Sequence, residues 1–478
     1  MNEVKDLTEE PPLVVDLDGT LLRTDMLHEG LTMHLAAKPH HLFAMPGRLS
    51  GGKAAFKRWL ASQTVPDIET LPLNKEVIRL ITKARGAGRH VALVTASDQA
   101  YADAIADHTG LFDEVHGSDG VRNLGGSEKA AFLTDRFGIG GFDYVGDSKA
   151  DLPVWAVARN AITVGKACNL PVEAHGQVQA VPDTGKKTAW IKALRPHQWL
   201  KNALIAVPML SAGQLDMATL MLVVVAFFCF SLTASSVYII NDILDLASDR
   251  RHPRKSKRPF ASGEVSIRKG VVMAVGLFLA AFAAAIMFMP MAFFLVLAVY
   301  YATTFAYSLF LKKKAVVDVC TLAGLYSLRV IAGGVATAII LSPWLLAFSM
   351  FVFLSLAAVK RQAEMMDLLN TNPERKTGRP YEVDDLPIIR NIAMSAGYAA
   401  VLVLALYINS QTAEASYAVP EAFWMVCPLM LYWLTRMVMV THRGRMSDDP
   451  IVFALRDKVS WGVVAMIILA ATYARVGL

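Results

Sequence analysis

The stretch NDILDLASDRRHPRKSKR, residues 241–258, follows a long apolar run and decides how the second half of the chain folds. It contains three aspartates, Asp242, Asp245 and Asp249, and then four arginines, two lysines and one histidine. Spacings of three and four residues place the three carboxylates on one face of a helix. Negative charge at the C-terminal end of a helix opposes the helix dipole, so this face is predicted to bind cations.

The apolar runs on both sides of this stretch predict a helical membrane domain. The chain has 478 residues, of which 54% are hydrophobic, and its mean hydropathy of +0.40 is high for a soluble protein. A membrane-spanning helix needs about 20 apolar residues and satisfies its own backbone groups in lipid. The first candidate run is the weakest, because it is short and contains Pro208. The nine candidate runs are 200–215, 217–240, 270–289, 291–311, 316–338, 342–359, 391–411, 419–441 and 460–478.

The loops between the runs predict their orientation. Four loops are rich in lysine and arginine, whereas the loops that alternate with them are not. With nine crossings, all four basic loops lie on one side, which the positive-inside rule assigns to the cytoplasm, and the N-terminal region lies there too. The net charge of +6 is therefore attributed to these loops and not to nucleic-acid binding. The basic loops are 241–269, 312–314, 360–390 and 442–458.

The N-terminal region has the sequence pattern of a soluble α/β domain. The segment PLVVDLDGTLL, residues 12–22, contains a short apolar run that suits a buried parallel strand. Asp16 and Asp18 follow at the C-terminal end of that strand, and Gly19 permits a tight turn. Ligand sites in open α/β sheets lie at this edge, so the two carboxylates are candidates for a functional site.

Three later segments place further polar groups in similar positions. A second strand-like run ends at Thr95, and Lys129 lies at the start of an apparent helix. A third run, FDYVGDSKAD, supplies Asp147 and Asp151. Carboxylate oxygens together with a substrate phosphate form a Mg²⁺ site, and another carboxylate can act as a nucleophile through an aspartyl phosphate.

These four blocks resemble, in the same order, the haloacid dehalogenase (HAD) superfamily of phosphatases over about residues 12–165. The resemblance implies a Rossmann-like α/β domain with a helical cap formed by the insert between Leu22 and about Leu73. It implies that Asp16 is the nucleophile and that Asp18 is the general acid/base, whose main-chain carbonyl also binds Mg²⁺. A degenerate HAD fold kept as a scaffold is the alternative. The remaining family roles fall on Thr95 for the phosphoryl oxygens, Lys129 for charge, and Asp147 and Asp151 for the metal.

The motif NDxxDxxxD and the basic segment after it, within a bundle of about nine helices, resemble the UbiA superfamily of intramembrane transferases over about residues 190–478. The resemblance implies a diphosphate leaving group, a pocket open to lipid, and Mg²⁺ held by Asp242, Asp245 and Asp249. Members that move a prenyl group onto an aromatic ring carry a second aspartate motif after the sixth span. That loop here reads VKRQAEMMDLL and then TGRPYEVDDL, so the second motif is absent and prenyl transfer is disfavoured.

Four further segments resemble one branch of this superfamily, the polyprenyl-phosphate (decaprenyl-phosphate) phosphoribosyltransferases. The branch implies phosphoribosyl pyrophosphate (PRPP) as donor, a polyprenyl phosphate as acceptor, and release of pyrophosphate. Cations replace the second acidic motif, because the donor's 5-phosphate and the lipid phosphate are both anions. The segments are LRPHQWLKN (194–202), YSLFLKKKAVVDV (307–319), SLRVIAGG (327–334) and RMSDDPIVFALRDKVSW (445–461). The residues assigned to the substrates are Lys201, Asn202, Asn241, Lys255, Arg258, Tyr307, Lys312, Lys360 and Arg361.

The fusion of the two regions predicts two consecutive reactions. Transfer from PRPP leaves a lipid-linked ribose with its 5-phosphate, and a phosphatase on the same membrane face would remove that phosphate to give polyprenyl-phosphoryl-ribose. Sharing one surface raises the effective concentration of the intermediate. Two alternatives stay open: an aromatic prenyltransferase fused to a phosphatase of unrelated substrate, and a transferase with a regulatory HAD module. The sequence leaves the oligomeric state open, a homo-oligomer included.

The predicted organisation has three parts: residues 1–170 form the HAD-like domain, 171–188 a linker, and 189–478 the UbiA-like transmembrane domain. We expect a multi-pass protein of the bacterial inner (plasma) membrane with both active sites on the cytoplasmic side. Arg329 falls deep inside the fifth run, where an ionisable residue is a functional candidate. Pairing with Asp318 or with a backbone carbonyl is an equal alternative for this arginine.

Overall fold

The structure, a computed structural model, divides the chain into two compact units. The first unit consists of Met1–Leu194 and Tyr238–Ala274, and the second of Arg195–Val237 and Val275–Leu478. The three-part division stays a prediction, and the structure groups the acidic motif, residues 241–249, with the first unit. The structure describes residues 10–64, 66–165, 178–182, 188–371, 380–446 and 449–477.

A six-stranded parallel sheet forms the centre of the first unit. The strands are β1 (Leu13–Val15), β2 (Val91–Asp98), β3 (Glu114–Ser118), β4 (Asp143–Gly146), β5 (Asn160–Val164) and β6 (Val178–Val181). Their order is β3-β2-β1-β4-β5-β6, and every neighbouring pair is parallel. The order reverses between β1 and β4, and ligands bind outside the carboxyl ends of the strands at such a point. The predicted Rossmann-like fold is confirmed.

The sixth strand lies inside the predicted linker, and the linker prediction is wrong for these residues. Val178 is in register with Ala161 of β5, and Val181 is buried. The short VQAV segment satisfies its backbone hydrogen-bonding groups by pairing with β5 at the edge of the sheet. The prolines and glycines around it had suggested a linker instead. Residues 171–177 and 183–187 of the predicted linker lie outside the described residues.

Seven helices accompany the sheet. The first three, with two short 3₁₀ turns, form the insert between Leu22 and Leu73, so the predicted helical cap is confirmed. The cap has a small core of its own around Phe56 and Leu60, and the two faces of the sheet carry separate buried clusters. The helices are α1 (Met26–Ala37), α2 (Met45–Leu49), α3 (Lys53–Gln63), α4 (Lys75–Gly86), α5 (Gln99–Thr109), α6 (Ser127–Phe137) and α7 (Leu152–Val157).

The rest of the chain is helical. Its helices are α8 (Ala189–Leu194), α9 (Val207–Ala212), α10 (Met217–Leu244), α11 (Leu246–Arg250), α12 (Ile267–Phe288), α13 (Met291–Leu309), α14 (Val317–Thr337), α15 (Pro343–Thr371), α16 (Leu386–Ile408), α17 (Gln411–Ser416), α18 (Val426–His442), α19 (Pro450–Arg456) and α20 (Lys458–Val476). Within the described part of the chain, α10, α12, α13, α14, α15, α16, α18 and α20 are long and apolar enough to cross a membrane, some with an adjoining 3₁₀ turn. The chain is a multi-pass membrane protein, and the predicted number of spans, about nine, is close to these eight.

The first predicted span, 200–215, is not one long α-helix. Residues Pro196–Ala206 form a 3₁₀ helix, and α9 follows it directly. Pro208 lies in the first turn of α9, where its missing N–H is not needed. Proline thus explains why the segment changes helix type at this point.

Candidate active sites

Three aspartates meet at the carboxyl edge of β1 and β4. Asp16, Asp147 and Asp151 each bring one carboxylate oxygen to within 4.8 Å of the other two. Asp16 follows β1 and Asp147 follows β4, so the adjacency of these strands creates the cluster. Lys129 is buried and donates a hydrogen bond of 2.7 Å from Nζ to Asp16 Oδ1. The structure thus brings four of the residues predicted from sequence into one site.

The electrostatics of this cluster suit a divalent cation. Burial, together with the Asp151 charge, raises the pKa of Asp16 to about 6 although Lys129 lowers it. Burial and the charges of Asp16 and Asp151 raise the pKa of Asp147 to about 8. Three carboxylates around a single ammonium group leave negative charge that Mg²⁺ would offset, and oxygen donors are the ligands it prefers. The residues present therefore fit the metal that both resemblances imply.

Gly19 allows the two strand ends to approach. Its φ is +77°, in the region that favours glycine, and a Cβ at this position would clash with the Asp147 carboxylate. The tight turn after Asp18 is therefore a condition for the aspartate cluster.

Asp18 points away from the three-carboxylate cluster. Its Oδ1 accepts a hydrogen bond of 2.8 Å from the Met26 N–H at the start of α1, and its Oδ2 accepts one of 2.6 Å from Ser97 Oγ. Burial, with the charges of Asp25 and Asp16, raises the pKa of Asp18 to about 7. A carboxyl group with such a pKa exchanges protons near neutral pH, which suits a general acid/base.

The sequence interpretation missed several polar residues around this site. Tyr144 accepts a hydrogen bond of 2.9 Å from Lys129 Nζ and donates one of 2.7 Å to Asp151 Oδ1. It is in register with Val14, two residues before Asp16, so Tyr144 lies on the same face of the sheet as Val14 and next to the site. Thr95, which was predicted from the sequence, is fully buried and accepts a hydrogen bond from the Ser97 N–H, and its role toward the phosphoryl oxygens stays a prediction. From the cap, Lys57 Nζ reaches the carbonyl oxygen of Ala96, directly after Thr95.

The acidic motif of residues 241–249 forms a separate set of contacts in the first unit. Asp242 and Asp249 are each 2% exposed, and Arg258 Nη1 lies 3.2 Å from Asp242 Oδ1 and 2.6 Å from Asp249 Oδ2. Asp245 accepts a hydrogen bond from the Asn241 amide instead. Asp245 separates α10 from α11, but backbone bonds from Asp245 N to Asn241 O and from Asp249 N to Asp245 O preserve the helical pitch.

Two buried carboxylates are therefore directed at one cation. Burial and the Asp242 charge raise the pKa of Asp249, while Arg258 opposes the shift. Among the described residues, the three aspartates of this motif do not form a metal-ligand cluster as compact as that of Asp16, because Asp245 is turned to Asn241. Asp242 and Asp249 fit a Mg²⁺–pyrophosphate ligand, whose phosphate oxygens are natural partners for the Arg258 guanidinium.

In the second unit, two lysines share one carboxylate. Lys201 and Asp449 are buried and form a short ion pair, and Lys360 Nζ lies 3.6 Å from the same Asp449 Oδ2. Burial alone would raise the pKa of Asp449, but the charges of Lys201 and Lys360 hold it well below its usual value. Two ammonium groups around one carboxylate leave a net positive charge that suits a phosphate. Asp449 was missed, although it lies within RMSDDPIVFALRDKVSW.

Arg329 and Asn202 form a second polar network of the second unit. Arg329 Nε donates a hydrogen bond of 2.8 Å to Asn202 Oδ1, and Nη2 donates one of 2.9 Å to Tyr300 OH. Nη1 donates to the Leu325 carbonyl, and the Asn202 amide donates to Ser231 Oγ. Of the two partners predicted for Arg329, the backbone carbonyl is confirmed and Asp318 is wrong. Asn202, which was assigned to the substrates, forms a hydrogen bond at both ends of its amide.

Arg361 and Tyr307, predicted to bind substrate, instead form a buried ion-pair cluster. Arg361 is 1% exposed, its Nε lies 2.6 Å from Asp318 Oδ2, and its Nη1 pairs with Glu364. Tyr307 OH donates to Asp318 Oδ1 and accepts from Arg361 Nη2. A guanidinium inside a helical bundle needs counter-charges, and two carboxylates supply them here. These contacts join α13, α14 and α15, and the assignment of Arg361 and Tyr307 to a substrate stays a prediction.

The other two predicted lysines lie in turns. Lys255 is exposed at the start of the 3₁₀ turn Lys255–Lys257, and Lys312 is half-buried in the 3₁₀ turn Leu311–Lys313. Their assignment to substrates stays a prediction.

Comparison with known proteins identifies both regions. The UbiA prenyltransferase family matches residues 202–473, and the haloacid dehalogenase-like hydrolase family matches residues 13–155. Uncharacterized protein y4nM of Sinorhizobium fredii is 36% identical over 464 residues, which are 95% of this chain and 89% of that protein. Decaprenyl-phosphate phosphoribosyltransferase of Mycolicibacterium smegmatis is 33% identical over 290 residues, 59% of this chain and 91% of that enzyme. A UbiA homolog from Archaeoglobus fulgidus, solved with GPP and Mg²⁺, has a TM-score of 0.45 at 16% identity and covers 59% of this chain and 99% of its own.

Proposed function

The chain belongs to the UbiA prenyltransferase family, and from this premise we propose that it transfers 5-phosphoribose from PRPP to a polyprenyl phosphate. The relative from Mycolicibacterium smegmatis, a decaprenyl-phosphate phosphoribosyltransferase, is similar over most of its own length. The observation that carries the proposal is the buried Lys201–Asp449–Lys360 group, because its excess positive charge suits an anionic phosphate.

In the proposed transfer, an oxygen of the lipid phosphate attacks the anomeric carbon of the ribose, and the bond from that carbon to pyrophosphate breaks. Asp242 and Asp249 would hold Mg²⁺, which when bound supplies positive charge to the leaving pyrophosphate. Arg258 pairs with the pyrophosphate oxygens as their charge grows. Lys201 and Lys360 hold a phosphate of either substrate. The products are a 5-phosphoribosyl lipid and pyrophosphate.

We further propose that the HAD region hydrolyses the 5-phosphate of that lipid. Asp16 attacks phosphorus, the bond to the ribose 5-oxygen breaks, and Asp18 gives its proton to that oxygen. Asp18 then takes a proton from water, which attacks the aspartyl phosphate and frees Asp16 and inorganic phosphate. Mg²⁺ held by Asp16, Asp147 and Asp151 would offset charge on the phosphoryl group. The intact set of acidic groups, with Lys129 on Asp16, favours catalysis over a purely regulatory HAD module.

Both reactions are assigned to the cytoplasmic face of the membrane. The alternation of basic and uncharged loops supports this side, since lysine and arginine are retained there. PRPP would then be drawn from the cytoplasm, and both steps would act on lipid in one leaflet.

One assay tests the transfer directly. Purified protein is incubated with Mg²⁺, labelled PRPP and a polyprenyl phosphate, and the lipid products are resolved. We expect label in lipid and stoichiometric pyrophosphate release. The opposing result is prenylation of 4-hydroxybenzoate from a prenyl diphosphate without PRPP turnover, which would favour the aromatic prenyltransferase alternative.

A further inference from the structure

A buried ion pair in the first unit joins the cap helix α1 to α11, the short helix that carries Asp249. Glu29 of α1 is 2% exposed, and the Arg250 side chain of α11 is 6% exposed. Arg250 Nη1 donates to Glu29 Oε2 at 2.9 Å, and Nη2 donates to Oε1 at 2.6 Å. This bidentate geometry is the strongest arrangement of an arginine and a carboxylate, and it fixes direction as well as distance.

Each partner of this ion pair is held by a second contact. Thr24 Oγ1 donates a hydrogen bond to Glu29 Oε1. Arg250 Nε donates a hydrogen bond of 3.1 Å to the carbonyl oxygen of Ala261. This bond connects the two ends of the basic segment. The pair is therefore an ordered part of the fold and not an incidental surface contact.

The pair connects the neighbourhoods of both predicted active sites. On the cap side, α1 begins at Met26, whose N–H donates to Asp18 one turn before Glu29. On the other side, Arg250 follows Asp249, which shares Arg258 with Asp242. The same few residues thus hold the start of the cap and the end of the acidic motif.

The segment that bears the acidic motif needs such an anchor. α11 is a five-residue continuation of α10 and forms the free end of that long helix, where helices fray. Six arginines and lysines within residues 250–258 also repel one another. Glu29 of the cap supplies a buried counter-charge to this segment through Arg250, whereas the pair of the neighbouring Arg251 with Asp67 is exposed.

We propose that Glu29, a residue of the phosphatase cap, is a positioning residue for the transferase. Through Arg250 it holds α11, and with it Asp249 and Arg258, in the arrangement that receives the donor's pyrophosphate. This inference rests on the proposed transfer from PRPP. The Mycolicibacterium smegmatis relative is matched over 91% of its length by 59% of this chain, so it lacks room for both units. The anchor is therefore a property of the fused chain.

The test compares the full-length protein with Glu29→Gln, which keeps the shape of the side chain and removes its charge. We expect the KM for PRPP at fixed Mg²⁺ to rise by about tenfold or more, as the loss of a buried charged pair implies. The matched control is Asp67→Asn, which breaks the exposed pair on the neighbouring arginine and should leave the KM unchanged. An unchanged KM in Glu29→Gln would overturn the proposal.

A second variant separates positioning from the cost of an unpaired charge. Glu29→Met combined with Arg250→Met removes both charges of this pair. The thermal stability of the double variant should therefore be higher than that of Glu29→Gln and close to that of wild type. If positioning is the role, the KM for PRPP stays high in this double variant. Recovery of the KM together with stability would mean that Glu29 only neutralises Arg250, and the proposal would fail.

Hydrogen exchange provides a readout that does not depend on turnover. In the absence of substrates, peptides covering residues 246–262 should exchange faster in Glu29→Gln than in wild type, and peptides of β4 and β5 should not. If wild type does not turn over PRPP, the proposed function fails. The exchange comparison still shows whether Glu29 holds α11 in place. Equal exchange in residues 246–262 would show that Glu29 does not hold α11.

Discussion

Asp242 is the residue on which the proposed transfer depends most. It is buried, it shares Arg258 with Asp249, and it lies at the end of an otherwise apolar helix. A carboxylate so placed is costly unless a cation uses it. Arg258 supplies one positive charge at this carboxylate, and the donor with its metal would add more.

We expect Asp242→Asn to abolish phosphoribosyl transfer while hydrolysis of a small phosphoester survives, because the amide has no charge for the metal. Both activities are measured on the purified full chain. Asp216→Asn is a matched control at the opposite end of α10, where Asp216 caps the helix by accepting from Thr219, and it should retain both activities. Loss of both activities in folded Asp242→Asn would mean that the two sites are not independent, and retained transfer would remove pyrophosphate binding from this face.

A structural aspartate gives a prediction on pH. Burial raises the pKa of Asp143, but hydrogen bonds from Arg159 and Arg89 hold this pKa below its usual value. A lowered pKa in the folded state stabilises the protein above the ordinary carboxyl pKa of about 4, and the contribution is lost as the pH falls through the folded value. Asp143→Asn should therefore lower the unfolding temperature of the first unit at pH 7, where breaking such a pair costs about 3–5 kcal/mol.

Calorimetry of wild type and Asp143→Asn between pH 3 and pH 7 measures this effect. The difference in unfolding temperature should shrink as the pH falls below about 4, because protonation then weakens the same pair in wild type. A difference that does not change with pH would contradict the role of the Asp143 charge.

At this scale, the sequence predicted what lies close together in sequence. Asp16 and Asp18 follow one strand, so their motif was readable without the fold. The pairing of Arg361 with Asp318 was not, because the partners are 43 residues apart on different helices. Without that contact, Arg361 resembles any other cation of a basic loop.

Among the secondary-structure elements, the segment 196–212 differs most from the prediction. Its eleven 3₁₀ residues rise about 2.0 Å each, and the six residues of α9 about 1.5 Å each. The segment is then about 31 Å long, close to the ~30 Å of a bilayer core. A 3₁₀ helix would thus allow this short segment to cross the membrane. The prediction of nine crossings, on which the orientation of the basic loops depends, is then retained.

Gly333 of α14 tests the packing of this segment. A Cβ at Gly333 would clash with the carbonyl oxygen of Ile205, so Gly333→Ala forces the two elements apart. We expect a loss of about 1–3 kcal/mol, the usual cost of overpacking, seen as a lower unfolding temperature in detergent. Gly324→Ala on the same helix has nothing within 4 Å and should not destabilise. Equal behaviour of the two variants would contradict the close contact.

The elements that could be predicted are those with a long periodic or apolar signal. Eight of the nine predicted spans correspond to long helices, and the first strands of the sheet were readable from apolar runs next to their aspartates. Strand β6 has four residues and only exists because β5 offers it an edge, so nothing within VQAV distinguishes it from a linker.

For the molecule as a whole, the proposed function is two reactions of one chain on one lipid. A lipid intermediate that stays in the membrane meets the second site at a high effective concentration, because its diffusion is confined to a surface. The acidic motif belongs to the same compact unit as the HAD region, which gives a physical reason for both sites to be in one chain. The first point was predicted from the fusion of the two regions, whereas the second could not be read from the sequence, since it depends on contacts between distant segments.

The order of the two reactions follows from their chemistry. In the proposed scheme, the HAD region acts on the lipid only after the ribose and its 5-phosphate have been attached. Asp16→Asn removes the proposed nucleophile, because an amide cannot form the acyl phosphate, and it leaves Asp242, Asp249 and Arg258 intact. Transfer should therefore continue in this variant and stop at the phosphorylated lipid.

Mass spectrometry of the extracted lipid is the most direct measurement. Purified wild type and Asp16→Asn are each given Mg²⁺, PRPP and a polyprenyl phosphate. Wild type should yield polyprenyl-phosphoryl-ribose, and Asp16→Asn should yield the same lipid heavier by one phosphoryl group. If both proteins release the same dephosphorylated lipid, or if neither attaches ribose, the two-step account is contradicted.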